Sequence, residues 1–279
     1  MMNRRAFLKT FASATLGSML AKSTFAVSLL AAKSLDKIGL QLYTIRDLMK
    51  KDFAGTLEKV AQIGYKEVEF AGYFDNKPED VRQRLERLKL QAPATHVPLE
   101  MLRNQLDNVI QTAQAVGHKY IVCPWLSPSE RSLEHYKAHA ALFNKIGEAC
   151  QKTGLQFAYH NHEFEFEITG GKIPFDILLT ETDPQLVQIE LDLFWIKKGG
   201  QEALAYFAKY PGRFPLCHVK DMNENQTMVE VGKGKIDFAK IFVQAGPAGL
   251  KHFFVEHDQP ADPLQSITVS YQHLKNLKF

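Results

Sequence analysis

Three side chains that could bind a metal ion or move a proton follow three apolar runs in the C-terminal half of the chain. Asp192 ends the run 187–192, His218 lies in the run 215–221, and Glu256 lies in the run 252–258. Each run is typical of a short buried strand, and a segment with helical spacing follows it. If the strands are parallel in a closed barrel, their C-terminal ends meet at one mouth. Two carboxylates and an imidazole suit a hard or borderline divalent cation.

Further polar side chains are predicted at the same mouth, because residues alternate between the two faces of a strand. One such group taken alone can be explained as a structural hydrogen-bonding residue. Nine convergent polar groups, counting the first three, exceed what solvation requires and indicate a functional site. The additional side chains are Glu69, His96, His160, Asn161, His162 and Lys220.

From residue 38 onward the sequence alternates between strand-like and helix-like segments. Eight such units over roughly 240 residues predict an α/β fold, a single (β/α)8 TIM barrel spanning 33–279. An open doubly wound sheet is the alternative, but the segment 42–47 lacks the glycines of its phosphate-binding loop. The segment 221–235 is expected to be a mobile loop at the mouth. Helices are predicted at 53–63, 78–89, 101–116, 132–153, 175–180, 201–210, 238–244 and 263–274.

The N-terminal segment predicts export. Arg4 and Arg5 are followed by Phe7-Leu8-Lys9, a weakly apolar stretch and small residues up to Ala32. These are the parts of a twin-arginine signal peptide, so residues 1–32 are assigned to a signal and short linker. The apolar stretch is too short for a permanent membrane anchor. We therefore expect the twin-arginine export machinery as a partner and a periplasmic or otherwise exported protein.

Composition excludes some partners. The 279 residues are 45% hydrophobic and 23% charged, with a formal net charge of +3. Removing the four basic residues of 1–26 leaves thirty basic against 31 acidic side chains, which argues against nucleic acid as a partner. The three cysteines are widely spaced and are expected to be buried apolar residues. The sequence leaves open whether the protein forms a homo-oligomer.

Several local motifs carry a family resemblance over residues 38–279. They are Glu67-Val68-Glu69-Phe70, Tyr159-His160-Asn161-His162, Leu191-Asp192-Leu193-Phe194-Trp195, His218-Val219-Lys220-Asp221 and Val255-Glu256. Their order and spacing resemble the xylose-isomerase-like TIM barrels, in particular the sugar phosphate isomerase/epimerase group. That group includes ketose 3-epimerases, hydroxypyruvate isomerases and inosose dehydratases.

The resemblance implies one divalent ion, Mn, Mg, Co or Zn. Its ligands would be Asp192, His218 and Glu256, with His160 at the position where the epimerases carry a glutamate. That replacement departs from the family pattern and also removes one of its two acid/base carboxylates. Trp195 is a second departure, since epimerases often carry a histidine three residues after the metal aspartate. It could stack on a sugar or only pack.

The chemistry implied is removal of a proton next to a carbonyl through an enediolate, as in a sugar isomerase or epimerase. Glu256 is the expected base, His160 or His162 the acid, and Lys220 the group that neutralises the oxyanion. Because a histidine at position 160 favours departure of a leaving group, a lyase or dehydratase acting on a keto-sugar, keto-glycoside or inosose is the close alternative. A non-catalytic periplasmic sugar-binding protein is the alternative of another class. The expected substrate is a small carbohydrate contacted by Glu69, His96, Asn161, Trp195 and Tyr43.

Overall fold

Eight parallel strands close into a barrel in the computed structural model, which describes residues 33–279. The predicted (β/α)8 barrel is therefore confirmed, and the signal predicted for residues 1–32 lies outside the described residues. Each strand pairs with its sequence neighbours, and the last pairs with the first. The barrel strands are β1 (Gly39–Gln41), β2 (Glu67–Phe70), β3 (Gln91–His96), β4 (Tyr120–Cys123), β5 (Gln156–His160), β6 (Val187–Asp192), β7 (Leu216–Val219) and β10 (His252–Val255).

The helices outside the barrel are more numerous than the eight that the sequence predicts. The predicted helix 101–116 is two helices that meet at Gln105, and a helix missed by the prediction directly follows β6. No helix of residues 33–279 is both long and apolar enough to cross a membrane. The α-helices are α1 (Arg46–Lys51), α2 (Phe53–Ile63), α3 (Pro78–Leu88), α4 (Leu99–Asn104), α5 (Leu106–Val116), α6 (Leu133–Lys152), α7 (Pro174–Glu181), α8 (Leu193–Lys198), α9 (Ala203–Lys209), α10 (Phe238–Phe242), α11 (Ala245–Ala248) and α12 (Pro263–Asn276). Single 3₁₀ turns lie at Leu42–Ile45, Pro128–Glu130 and Phe164–Phe166.

The loop after β7 has local structure that the sequence did not predict. It contains a hairpin of β8 (Asp221–Met222) and β9 (Met228–Val229). The buried Asp221 carboxylate accepts hydrogen bonds from the backbone N–H groups of Gly232 and Gly234, both at 2.9 Å. A Cβ on Gly234 would lie 2.2 Å from Asp221 Oδ1, so glycine is required there. One carboxylate thus organises the loop at the barrel mouth.

Inward-facing side chains fill the barrel in layers. Ala94, Val122, Ala158, Leu216 and Phe254 form an apolar layer across its middle. Phe254 needs the space that a side chain at position 39 would occupy, since a Cβ on Gly39 would lie 2.4 Å from its ring. His96, His160, His218 and Glu256 each follow a residue of this apolar layer by two positions, toward the C-terminal ends of the strands, where TIM-barrel enzymes carry their active sites.

The three cysteines Cys123, Cys150 and Cys217 are free and buried, as predicted. Burial raises the pKa of the Cys123 and Cys150 thiols to about 12. They pack as small apolar residues and offer no thiolate at neutral pH.

Outside the barrel, the buried residue His118 makes stability depend on pH. Its Nδ1 bonds the carbonyl of Ala92 at 2.7 Å and its Nε2 accepts from the Tyr73 hydroxyl at 2.9 Å, which fixes a neutral ring. Burial lowers its pKa to about 4. Because the unfolded chain binds the proton more readily between that value and the unperturbed pKa of about 6.5, stability falls as pH decreases through this range.

We expect His118→Gln to remove this contribution. Between pH 7.5 and pH 5 the wild-type protein should lose about 2 kcal/mol of unfolding free energy more than the variant. Urea unfolding at the two pH values measures it. The matched control is His135→Gln, which changes an exposed histidine of α6. Equal pH dependence in wild-type and His118→Gln proteins would contradict the assignment.

Candidate active site

A cavity of about 790 Å³ opens at the C-terminal ends of the barrel strands. Its floor is polar, and its walls include the side chains of Tyr73, Met101 and Trp125. Trp125 is 46% exposed, and the Arg131 guanidinium lies 5.2 Å from the centre of its ring system. Among the residues predicted for the site, those that line the cavity are Tyr43, His96, His160, His162, Lys220 and Glu256.

The floor contains an ammonium group surrounded by three carboxylates, which we name the upper tier: Lys220, Asp192, Glu256 and Asp258. Lys220 Nζ lies 3.1 Å from Asp192 Oδ2, 2.7 Å from Glu256 Oε2 and 2.8 Å from Asp258 Oδ1. The Lys220 side chain is 2% exposed. The upper tier is therefore built around one positive charge.

Asp192 divides its two oxygens between structure and site. Its Oδ1 accepts from the backbone N–H groups of Phe194 and Trp195 at 2.9 and 2.8 Å and so caps the N-terminus of α8. Its backbone N–H donates to Asn161 Oδ1 at 3.0 Å. Asp192 Oδ2 is buried without a hydrogen-bond partner and faces Lys220. The helix cap thus orients one free oxygen toward a cation.

Directly below lies a second group, which we name the lower tier: Glu69, His96 and Glu190. His96 Nε2 lies 2.7 Å from Glu190 Oε2 and 3.4 Å from Glu69 Oε2. Gln41 donates its amide N–H to Glu69 Oε2 at 2.7 Å. Glu69 and Glu190 have no exposed surface, so the lower tier holds two carboxylates that water does not reach.

Two histidines stand between the tiers and present one ring nitrogen to each. His218 Nδ1 lies 2.7 Å from Glu256 Oε2 above, while its Nε2 lies 2.6 Å from Glu69 Oε2 and 3.2 Å from Glu190 Oε2 below. His160 Nε2 lies 3.9 Å from Asp192 Oδ2 above, and its Nδ1 lies 3.4 Å from Glu190 Oε2 below. His218 belongs to both donor sets of the site, whereas His160 belongs only to the lower one, with His96, Glu190 and His218.

The charges of the upper tier are strongly coupled. Burial alone would lower the pKa of Lys220, but Asp192, Glu256 and Asp258 outweigh it and raise that pKa well above its usual range. Burial opposes ionisation of Glu256, yet Lys220 and His218 hold its pKa well below the usual value. Burial raises the pKa of Asp192 to about 6 despite Lys220. Glu256 is therefore ionised at neutral pH and faces the cavity.

The two histidines predicted as proton donors are neutral at neutral pH. Burial and the neighbouring His218 lower the pKa of His160 to about 3. Burial, His160 and Lys220 hold the pKa of His162 well below its usual value. Neither ring carries the second proton that an imidazolium acid would deliver.

Five predicted residues do not line the cavity: Glu69, Asn161, Asp192, Trp195 and His218. Asp192 contacts the cavity-lining residue Lys220, and His218 contacts the cavity-lining residue Glu256. Glu69 lies in the lower tier, and Asn161 accepts a hydrogen bond from the backbone of Asp192. The structure therefore does not place either residue where it would contact a substrate in the cavity, as the sequence had predicted. The Trp195 ring packs against His162, with ring centroids 5.3 Å apart. This contact favours a packing role for Trp195 over stacking on a sugar.

Three further residues of the site were not among the predicted site residues. Asp258 lies two residues after Glu256, and Trp125 follows β4, so position after a strand was an available signal for both. Glu190 lies on the same strand face as Asp192, and this alternation of faces was the only feature of the sequence that could have assigned Glu190 to the site.

Sequence comparison with protein families agrees with this architecture. The family model described as xylose isomerase-like TIM barrel matches residues 57–277. The chain belongs to the xylose isomerase-like TIM barrel family. The family match covers most of the barrel and both tiers of the site.

Individual relatives are distant. A sugar phosphate isomerase/epimerase from Parabacteroides distasonis, known from its crystal structure, is 26% identical, with a TM-score of 0.76 over 86% of this chain and 98% of that one. An inosose dehydratase of Geobacillus kaustophilus is 23% identical over 205 residues, which are 65% of this chain and 66% of the relative, slightly under two thirds of its length. The IolI protein, in a crystal structure with a bound zinc atom, is 15% identical with a TM-score of 0.66 over 85% of this chain and 95% of that one, and shows the fold alone.

Proposed function

We propose that this chain is a metal-dependent enzyme that removes a proton next to a carbonyl group of a small sugar or keto-polyol. The observation that carries the proposal is the upper tier on the floor of the cavity. Asp192, His218 and Glu256 each offer a ligand atom, and these atoms lie within 4.8 Å of one another. Sugar-processing relatives of both the isomerase/epimerase and the dehydratase type support the same general chemistry.

The donor set of the upper tier fits a divalent ion. Asp192 Oδ2 is buried without a hydrogen bond, and the charge already placed beside it and Glu256 Oε2 is the Lys220 ammonium. The three donor atoms, two carboxylate oxygens and one imidazole nitrogen, match the preferences of Mn²⁺, Mg²⁺, Co²⁺ or Zn²⁺. Asp192, His218 and Glu256 would hold the ion. When bound, it would act as a Lewis acid toward the substrate carbonyl.

Glu256 is the group that accepts the proton. It lines the cavity, it is ionised at neutral pH, and its partner Lys220 keeps positive charge close to the oxygen on which charge develops in the substrate. His162 also lines the cavity, where its neutral ring can hydrogen-bond a substrate hydroxyl. These groups bind and orient the substrate around one base.

One base favours elimination over epimerisation. A two-base epimerase needs a second group that carries a proton, and the strand-five carboxylate that would serve is His160 here. Burial lowers the pKa of His160 to about 3, so the ring lacks that proton. Glu256, once protonated, can return its proton to a leaving hydroxyl or alkoxide. We therefore place the dehydratase or lyase ahead of the isomerase, in line with the dehydratase relatives.

An unphosphorylated substrate suits the cavity. Among the described residues that line it, Lys220 is the sole lysine or arginine, and three carboxylates already share its charge. A phosphate would meet this acidic floor without a free cation. The Trp125 ring on the wall instead offers an apolar face for a sugar ring.

A substrate screen in deuterated water tests the function. The protein is stripped of metal, reloaded with Mn²⁺, Mg²⁺, Co²⁺ or Zn²⁺, and incubated with unphosphorylated ketoses, keto-glycosides and inososes. We expect a substrate for which NMR shows an elimination product, formed only with a divalent ion. An epimer with solvent deuterium at the reacting carbon would identify the epimerase instead. Tight sugar binding with neither an elimination product nor deuterium uptake for any substrate would identify a binding protein and refute the enzyme.

A further inference from the structure

The lower tier has the donors of a metal site that is distinct from the upper one. Its ligand atoms are His96 Nε2, His160 Nδ1, Glu190 Oε2 and His218 Nε2, and all four lie within 4.8 Å of one another. We propose that these four atoms bind a second divalent transition-metal ion, beneath the one expected in the upper tier.

Two of the three distances from Glu190 Oε2 to the proposed nitrogen ligands are close to those of a tetrahedral site. This oxygen lies 2.7 Å from His96 Nε2, 3.2 Å from His218 Nε2 and 3.4 Å from His160 Nδ1. Bonds of about 2.0–2.1 Å from a tetrahedral zinc ion to nitrogen or oxygen place neighbouring ligands ~3.3 Å apart. Small side-chain movements therefore suffice to admit an ion.

The charges of the two tiers differ in a way that calls for a cation below. The carboxylates of the upper tier share the permanent charge of Lys220. In residues 33–279, the ion-pairing groups within 4.0 Å of Glu69 and Glu190 are histidines alone. The charge that compensates these two buried carboxylates must therefore be carried by the imidazole rings, either as bound protons or as a divalent ion that the rings bind.

Unpartnered polar atoms point to the same place. Glu190 Oε1, Glu69 Oε1 and His160 Nδ1 are buried without a hydrogen bond. Buried polar groups in folded proteins nearly always have a partner, and His160 Nδ1, the one unpartnered atom that is also a proposed ligand, is the atom that a bound ion would satisfy. His96 lines the cavity and its side chain is 10% exposed, which gives an ion a route from the mouth.

The two tiers should differ in the metals they prefer. The lower donor set, which is His96, His160, Glu190 and His218, offers three imidazoles and one carboxylate and suits Zn²⁺, Co²⁺, Ni²⁺ or Cu²⁺. The upper donor set, which is Asp192, His218 and Glu256, offers two carboxylates and one imidazole and suits Mg²⁺ and Mn²⁺ better. His218 presents Nδ1 to one tier and Nε2 to the other, so it can bind both ions at once only as an imidazolate, after its remaining ring proton is released to solvent.

Titration of the metal-free full-length protein with Co²⁺ tests the proposal. Visible absorption and equilibrium dialysis report the binding, because four-coordinate Co²⁺ absorbs far more strongly than six-coordinate Co²⁺. We compare wild type with Glu190→Gln, which alters the lower tier alone, and with Asp192→Asn, which alters the upper tier and retains a capping side chain. The strong absorption should appear in wild type and in Asp192→Asn. In Glu190→Gln we expect Co²⁺ to bind at this site at least about 100-fold more weakly, since the loss of groups that merely support a ligand costs 10–100-fold.

Each other outcome is decisive. Wild-type affinity and absorption in Glu190→Gln, absence of the strong absorption in wild type, or its loss in Asp192→Asn would each overturn the lower site. If Glu190→Gln fails to fold by circular dichroism, His96→Gln replaces it, because His96 is the most exposed of the four ligands. If the upper site alone is absent, wild type and Asp192→Asn should each bind one strongly absorbing Co²⁺ ion. The experiment therefore distinguishes failure of the lower site from failure of the proposed function.

Discussion

The Glu256→Gln protein is expected to lose the proton-abstraction step while retaining its fold. Glutamine has the shape of glutamate but cannot accept a proton from carbon, and general bases typically contribute about 10²–10⁴-fold to rate. We expect turnover to fall at least 10²-fold, with deuterium exchange at the carbon next to the carbonyl falling in parallel. NMR of the substrate in deuterated water measures the exchange.

The matched control is Asp258→Asn. Asp258 also lines the cavity and also pairs with Lys220, at 2.8 Å, but it is outside the donor set of Asp192, His218 and Glu256. Its replacement should lower the exchange rate much less. Because Glu256 is also an expected ligand, both variants are assayed at saturating metal and their metal content is measured. Exchange that persists in Glu256→Gln at full metal occupancy and vanishes in His160→Gln would assign the base to His160.

Replacement of Lys220 should have opposite effects on stability and on metal affinity. Lys220→Met removes the charge that compensates Asp192, Glu256 and Asp258 while keeping a long apolar side chain. Loss of one partner of a buried ion pair typically costs about 3–5 kcal/mol, so the metal-free variant should lose stability of that order. A divalent ion that enters the upper tier should restore much of it, and should bind the variant more tightly than wild type.

Urea unfolding with and without Mn²⁺ measures both effects. The control is Lys235→Met, which removes a lysine that pairs with Glu224 at 2.9 Å on the exposed surface. Such exposed pairs contribute about 0–1 kcal/mol. Unchanged stability of metal-free Lys220→Met, or a variant that Mn²⁺ stabilises no more than wild type, would contradict the role of Lys220 as the compensating charge of this site.

The parts of the site that the sequence predicted depend on one rule, that parallel strands end at the same mouth. The rule brings Asp192, His218 and Glu256 together from the alternation of apolar runs alone, and these three form one donor set in the structure. The same rule places Lys220 at the mouth. The rule gives no side-chain directions, so it could not show that the Lys220 ammonium lies between the carboxylates of Asp192, Glu256 and Asp258.

What the sequence did not predict lies deeper or depends on side-chain direction. Glu190 is within a strand, and its partners His96, His160 and His218 come from three other strands, so only the closed barrel brings them together. Glu69 follows the predicted face, yet its carboxylate bonds Gln41 and His218 below the cavity. Helix α8 was missed because it is short and apolar, although Asp192 at its N-cap was an available signal.

Metal-dependent proton abstraction is tested by the rate of solvent deuterium uptake at the substrate carbon next to the carbonyl, before and after removal of metal. We expect uptake to stop in the metal-free protein, to return as one divalent ion per upper tier is added back, and not to return in Asp192→Ala at the same metal concentration. Uptake at an undiminished rate in protein shown to be metal-free, or full recovery in Asp192→Ala, would contradict metal-dependent proton abstraction.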